Sequence, residues 1–114
     1  MGILKKDRIK DGQEFNRIIQ AKDSFANKYF VVYKEETNNP HWRLGLSVSK
    51  KIGKAHERVW VKRRIRQSIN NLNDRMKQNT NLIVIARPLA ANTDQAFIQK
   101  QIEHILKLAG VINE

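Results

Sequence analysis

The sequence has no cysteine among its 114 residues. Disulfide staples, thiolate nucleophiles and cysteine-based zinc sites are therefore excluded. Acid is also scarce, with 11 Asp and Glu against 22 Lys and Arg, a formal net charge of +11. The acids, Asp7, Asp11, Glu14, Asp23, Glu35, Glu36, Glu57, Asp74, Asp94, Glu103 and Glu114, are scattered, mostly at helix starts and turns. No pair of them has the spacing of a two-metal nuclease site. His41, His56 and His104 stand apart without matched ligands. His56 beside Glu57 has the chemistry of a general base but no positioned partner. Gly45 and Gly53 lie singly, so no glycine-rich loop cradles a phosphate. The expectation is a polypeptide with no active site and no metal of its own.

No apolar run approaches the roughly 18–20 residues of a membrane span. The N-terminal MGILKKDRIKDG holds too short an apolar stretch for a signal peptide. Lys6 stands where a myristoylation signal needs Ser or Thr. A cytoplasmic protein is expected, with no membrane partner and no small-molecule substrate. No repeat, low-complexity segment or linker divides the chain. The apolar fraction of 40% is enough for one core, so residues 1–114 are expected to form a single domain.

What is present is cation. Ser49 to Arg66, SKKIGKAHERVWVKRRIR, holds Lys50, Lys51, Lys54, Arg58, Lys62, Arg63, Arg64 and Arg66 against one acid, Glu57. A helix is expected from about Ala55 to Met76 or Lys77, with Val61, Ile65, Ile69, Leu72 and Met76 on one apolar stripe. Lys62, Arg63 and Arg66 fall on an adjoining face, and Arg58 sits at its edge in the first turn. A charge run on a helix is ordinarily a solvated face. Solvated faces, however, interleave acids that limit repulsion, and here almost nothing compensates the row. That imbalance points to a polyanion, and nucleic acid is the expected partner.

The remaining chain supplies a layer for that helix. Asp11 and Glu14 suggest a capping box for a short helix carrying Phe15, Ile18 and Ile19 and ending near Ala21 or Lys22. Residues 1–10 are expected to lie extended against the domain or to fray. Phe25 to Tyr33 reads as strand, with Tyr29, Val31 and Tyr33 on one face and Phe30 and Val32 on the other. Trp42 to Ser49 reads as a second strand, with Leu44, Leu46 and Val48 opposed to Arg43, Ser47 and Ser49. These two strands are expected to pair antiparallel. Leu82 to Ala86 suggests an interior strand covered on both faces, stopped by Arg87-Pro88. Asn92-Thr-Asp-Gln95 offers a capping box for a last helix, with Ala96, Phe97, Ile98, Ile102, Ile105, Leu106 and Ala109 inward and Gly110 at its end. The order is αββαβα, or αβββαβα if the first strand region bends into two; the class is α+β.

Phe15, Tyr29, Tyr33 and Trp60 are candidates for stacking on unpaired bases, an interaction indifferent to base identity. Core packing is the alternative for Phe15 and Phe30. Trp60 falls nearly opposite the apolar stripe and is expected to be exposed, as a contact surface or packed over the N-terminal segment.

Taken together, the chain resembles the protein component of bacterial ribonuclease P. The resemblance rests on RLGLSVSKKIGKA (Arg43–Ala55) followed by Arg58, Lys62, Arg63 and Arg66. It extends to Glu14-Phe15-Asn-Arg17, Ala26-Asn27, Phe30-Val-Val-Tyr33 and Ile83-Val-Ile-Ala-Arg-Pro88. The family signature Arg-Asn-x-x-Lys-Arg-x-x-Arg has Val59 here in place of its Asn, and Ile19 stands where an aromatic is common. The resemblance implies an α/β sandwich of order αβββαβα, ribosomal protein S5 domain 2-like, with an unusual left-handed βαβ crossover. It implies binding to a catalytic RNA that removes the 5′ leader of precursor tRNA, with Mg²⁺ held mainly by that RNA. Lys50, Lys51, Lys54, Arg58, Lys62, Arg63 and Arg66 would contact RNA. Phe15, Ile19, Tyr33, Ser47 and Ser49, beside Lys51, would line a groove for the leader. The rival is a small basic ribonucleoprotein or ribosome-associated scaffold that binds folded RNA without assisting cleavage. A reader of duplex DNA ranks last, because no Asn or Gln accompanies the arginines before Gln67.

Overall fold

The computed structural model describes residues 5–112. The elements run α1 (Gly12–Gln20), β1 (Ser24–Ala26), β2 (Phe30–Glu36), β3 (Arg43–Val48), α2 (Ala55–Asn71), β4 (Thr80–Ala86) and α3 (Gln95–Leu108). Short 3-10 turns lie at Lys5–Asp7, Lys50–Ile52, Asn73–Arg75 and Pro88–Ala90. The order is thus αβββαβα, because the first strand region does bend. Asn27 makes the bend: its side-chain oxygen accepts the Tyr29 and Phe30 amides at 2.9 and 2.8 Å.

The sheet order is β1-β2-β4-β3, which corrects the expected pairing of β2 with β3. β4 lies between them, antiparallel to β2 and parallel to β3. Of the strands it alone is buried almost throughout, so the interior position falls to it. β3 then reaches β4 through α2, which makes a parallel βαβ unit.

One face of the sheet is sealed by α2 and α3. Phe30, Val32, Leu44, Leu82, Val84 and Ala86 pack in one buried cluster with Val61, Ile65 and Ile69 of α2 and Ile98, Ile102, Ile105 and Leu106 of α3. The expected α2 stripe is buried from Val61 to Met76, yet the helix ends at Asn71. Asparagine side chains compete with the helical backbone, and here they are engaged elsewhere. Asn71 joins Gln67 and Gln99, while Asn73 accepts the Trp42 indole N–H at 2.9 Å. Leu72 and Met76 therefore reach the core from just outside the helix.

The start of α3 also differs from expectation. Asp94, not Asn92, is the cap and accepts the Phe97 amide at 2.8 Å. Gln95 crosses to α2, donating to the Arg64 carbonyl and the Ser68 hydroxyl at 2.9 and 2.8 Å. Ala96 is exposed. At the far end Gly110 follows the helix as expected, with Gly110 and Val111 amides donating to the Lys107 and Leu106 carbonyls.

The other face is covered by α1, with Ile9 of the N-terminal segment beside it. Asp11 caps α1 through the Gln13 amide at 2.9 Å. Glu14 does not reach back to complete a box, because it accepts two hydrogen bonds from Arg43 of β3 at 2.8 and 2.9 Å. Arg17 grips Glu35 of β2 through both terminal nitrogens. Between these tethers Ile18 is fully buried with Ile9 and Ile83. Of the N-terminal stretch, residues 1–4 lie outside the described residues. Arg8 bridges Leu44 in parallel, and the Ile9 amide donates to the Leu44 carbonyl at 2.8 Å, so this segment runs along the outer edge of β3.

Candidate nucleic-acid interface

Strand register arranges the α1 face in rows. Glu35, Asn81 and Arg43 align across β2, β4 and β3; then Tyr33, Ile83 and Gly45; then Val31, Ile85 and Ser47. The ion pairs of α1 hold it over the first row, and the last row is left at the open end. Phe15, Ile19, Tyr33 and Ile85 pack against the small Ile9–Ile18–Ile83 cluster while staying half-exposed. Gly45 allows this arrangement: a Cβ there would lie 3.0 Å from the Phe15 ring. Ser47 is half-buried beside Ile85, whereas Ser49 is exposed past the end of β3. The structure therefore brings Phe15, Ile19, Tyr33 and Ser47 onto one open face and leaves Ser49 at its border. Tyr29 is not among them. Its ring meets Phe97 edge-on at 4.9 Å on the helix side, because the Asn27 bend ends the alternation that put it with Tyr33.

The cations come from the crossover. Lys50 and Lys51 are exposed on the 3-10 turn that buried Ile52 anchors. Lys54 precedes α2, and its amide donates to the Glu57 carboxylate at 3.0 Å. Gly53, at φ +152°, lets that carboxylate approach; a Cβ would sit 2.8 Å from Glu57 Cδ. Along α2, Arg63 is exposed while Arg58, Lys62 and Arg66 are half-buried. Among the described residues, none of these seven cations makes an ion pair, whereas Arg17, Arg43, Arg75 and Lys107 do. Arg58 Nε is buried with no hydrogen-bond partner among the described residues.

A groove of about 250 Å³ joins the two regions, lined by Arg8, Ile9, Lys10, Phe15, Leu44, Leu46, Lys62 and Arg66. Burial, and after it the Arg8 charge, lowers the Arg66 pKa from the ordinary arginine value. A phosphate placed here would relieve that crowding. The roles of Arg8 and Lys10 were not visible in the sequence, which showed only a basic N-terminal stretch. Val31 and Ile85, which share the last row of the open face with Ser47, were not among the sequence candidates, although strand alternation placed Val31 with Tyr33.

The remaining candidates are not assembled into a catalytic site. His41 Nδ1 lies 3.1 Å from Asp7 and 2.7 Å from the Trp42 carbonyl. His104 contacts Asn27 at 3.4 Å, and His56 is exposed. Among the described residues no three His, Asp or Glu side chains come together as a metal site, and Val59, 44% exposed, offers no donor. No helix among them is long and apolar enough to cross a membrane.

A row of cations without ion-pair partners among the described residues, on a crossover helix and joined by a groove to the half-open face that carries Phe15 and Tyr33, defines an α+β protein with a strongly cationic surface. The chain belongs to the ribonuclease P protein family, whose model matches residues 3–110. It is 51% identical to the ribonuclease P protein component of Oenococcus oeni over 99% of this chain and 96% of that one. It is 53% identical to that of Leuconostoc mesenteroides over 94% and 93%. The solved RNase P protein of Staphylococcus aureus superimposes with a TM-score of 0.87 at 41% identity, covering 94% of this chain and 98% of that one.

Proposed function

We propose that this chain is the protein subunit of ribonuclease P, acting in the cytoplasm in removal of the 5′ leader from precursor tRNA. The α2 cations with Lys50, Lys51 and Lys54 take phosphates of the catalytic RNA. The open face of Phe15, Ile19, Tyr33 and Ser47, with Ser49 at its border, takes the single-stranded leader. Stacking against Phe15 and Tyr33 tolerates any base, as a subunit serving many precursor tRNAs requires. Hydrolysis is assigned to the RNA, and Mg²⁺ held mainly by that RNA would supply its metal chemistry. The polypeptide's part is to neutralise charge and position the leader. The observation that carries this reading is the cation row without partner acids, continuous through the Arg8–Arg66 groove with the aromatic face.

The test is precursor-tRNA cleavage at low Mg²⁺ by a bacterial ribonuclease P RNA, with and without this protein. Rescue of correctly placed 5′ cleavage, with the protein alone inactive, is expected. Tight RNA binding without rescue would instead favour the scaffold and draw suspicion to Val59.

A further inference from the structure

The two flanks of α2 differ, with Arg63 between them. Lys62 and Arg66 face the edge of β3, whereas Trp60 and Arg64 face the start of α3. Trp60 is 56% exposed, and the Arg64 guanidinium carbon lies 4.9 Å from its ring centroid. The ring separates two hollows. One, of about 360 Å³, has Ile52, Val61 and Ala91 as its apolar floor and is bordered by His56, Glu57, Arg64 and Asp94. That volume is at the lower end of small-ligand sites, roughly 300–1,000 Å³. The other, of about 300 Å³, is lined by Arg63, Arg64, Gln67 and Gln95. Glu57 and Asp94 border an apolar floor on one side of the indole, Arg63 lies on the other, and Arg64, stacked at the ring, borders both hollows. Gln95, bonded to the Arg64 carbonyl and to Ser68, fixes the α3 wall against α2.

We infer that this flank binds one unpaired nucleotide of the RNA, its base against Trp60 in the apolar hollow and its phosphate on Arg63 and Arg64. The charge distribution selects that orientation. The first hollow sets two carboxylates, Glu57 and Asp94, against Arg64, whereas the second has Arg63 and Arg64 and no acid. The carboxylates can accept the amino edge of a base. The inference rests on the RNA-binding reading, and it adds a second contact on the far side of the helix.

The test uses the full chain with ribonuclease P RNA. Trp42 is 2% exposed, so acrylamide quenching of tryptophan emission reports Trp60. RNA is expected to protect that emission. Trp60→Ala is expected to weaken RNA binding about 5- to 100-fold without changing its salt slope, since stacking releases no counterions. Trp60→Phe is expected to restore most of the loss, and Arg64→Gln to lower the slope by roughly one phosphate contact. Emission that stays quenchable, or Trp60→Ala binding like the parent while Lys62→Ala with Arg66→Ala binds weakly, overturns the nucleotide site and leaves the α2 reading intact. Parent-like binding by all of these variants overturns both.

Discussion

Phe30, Val32, Leu82 and Val84 are fully buried on the helix side of the sheet, whereas Tyr33, Ile85 and Ser47, in the same or neighbouring strands, keep contact with solvent on the other side. Strand alternation delivers apolar groups to both faces, so the difference lies in what covers them. Helices of 17 and 14 residues cover the first face, and one of nine residues covers the second. The short helix is held at its polar row by Glu14–Arg43 and Arg17–Glu35, and the row of Val31, Ile85 and Ser47 extends past it. Most of the buried apolar side chains lie on the sealed face, which is where most of the stability is expected, and the face left incomplete is the one open to a ligand. The tethers also separate two kinds of charge: Arg17 and Arg43 are paired with acids, while the α2 row, among the described residues, is not.

The largest effect expected to sharpen this contrast is on the sealed face. Ile65→Ala removes a side chain with no exposure and should cost about 2–5 kcal/mol in urea denaturation. A loss below 1 kcal/mol would mean that the α2 core is not where stability resides. Next, Tyr33→Ala should reduce the holoenzyme's preference for leader-bearing precursor over mature tRNA about 5- to 100-fold, the range of one stacking contact. Equal losses on both RNAs would make Tyr33 a core residue and erase the distinction between faces. Third, Lys62→Ala with Arg66→Ala should lower the salt slope of RNA binding by roughly 0.7–0.9 per lost phosphate contact. An unchanged slope would remove this flank from the interface.

The smallest effect concerns the α1 tether. Burial pushes the Glu35 carboxyl up, but hydrogen bonds from Arg17 and Asn81 and the Arg17 charge outweigh it and leave the pKa below the ordinary value. A carboxylate depressed in the folded state adds stability that is full above its unfolded pKa and is lost as pH falls toward the folded one. Denaturation midpoints should therefore drop as pH falls below about 4.5, and Glu35→Gln should flatten that part of the profile. A variant profile parallel to the parent's would show that the tether contributes nothing.

Much of this contrast was legible in the sequence where periodicity is local. The 3.6-residue stripe of Val61, Ile65 and Ile69 and the cation row beside it are where the spacing put them, whereas Leu72 and Met76 are buried from beyond the end of the helix. Alternation likewise put Val31 and Tyr33 opposite Phe30 and Val32. Strand order was not legible, since the place of β4 depends on what its neighbours bury and not on anything within β2 or β3. Helix ends were legible where one residue decides, as at Gly110. They were not where side chains are drawn to distant partners, as Glu14 is to Arg43, Gln95 to Ser68 and Asn73 to Trp42. Arg8 belongs to the same class: its place beside Arg66 follows from the backbone bridge to Leu44, and nothing within residues 1–10 signals it. The groove set of Phe15, Ile19, Tyr33 and Ser47 came from the family resemblance; the strand register explains why Tyr33 and Ser47 share one face, and the tethers of α1 bring Phe15 and Ile19 to it.

The most direct measurement is site-specific photocrosslinking in the assembled holoenzyme with bound precursor tRNA. Photoreactive p-benzoylphenylalanine is placed either at Tyr33 or at Lys62. The expected result is a Tyr33-position adduct on the 5′ leader and a Lys62-position adduct on the catalytic RNA. Adducts from both positions on the same RNA would contradict the division of labour between the open sheet face and α2.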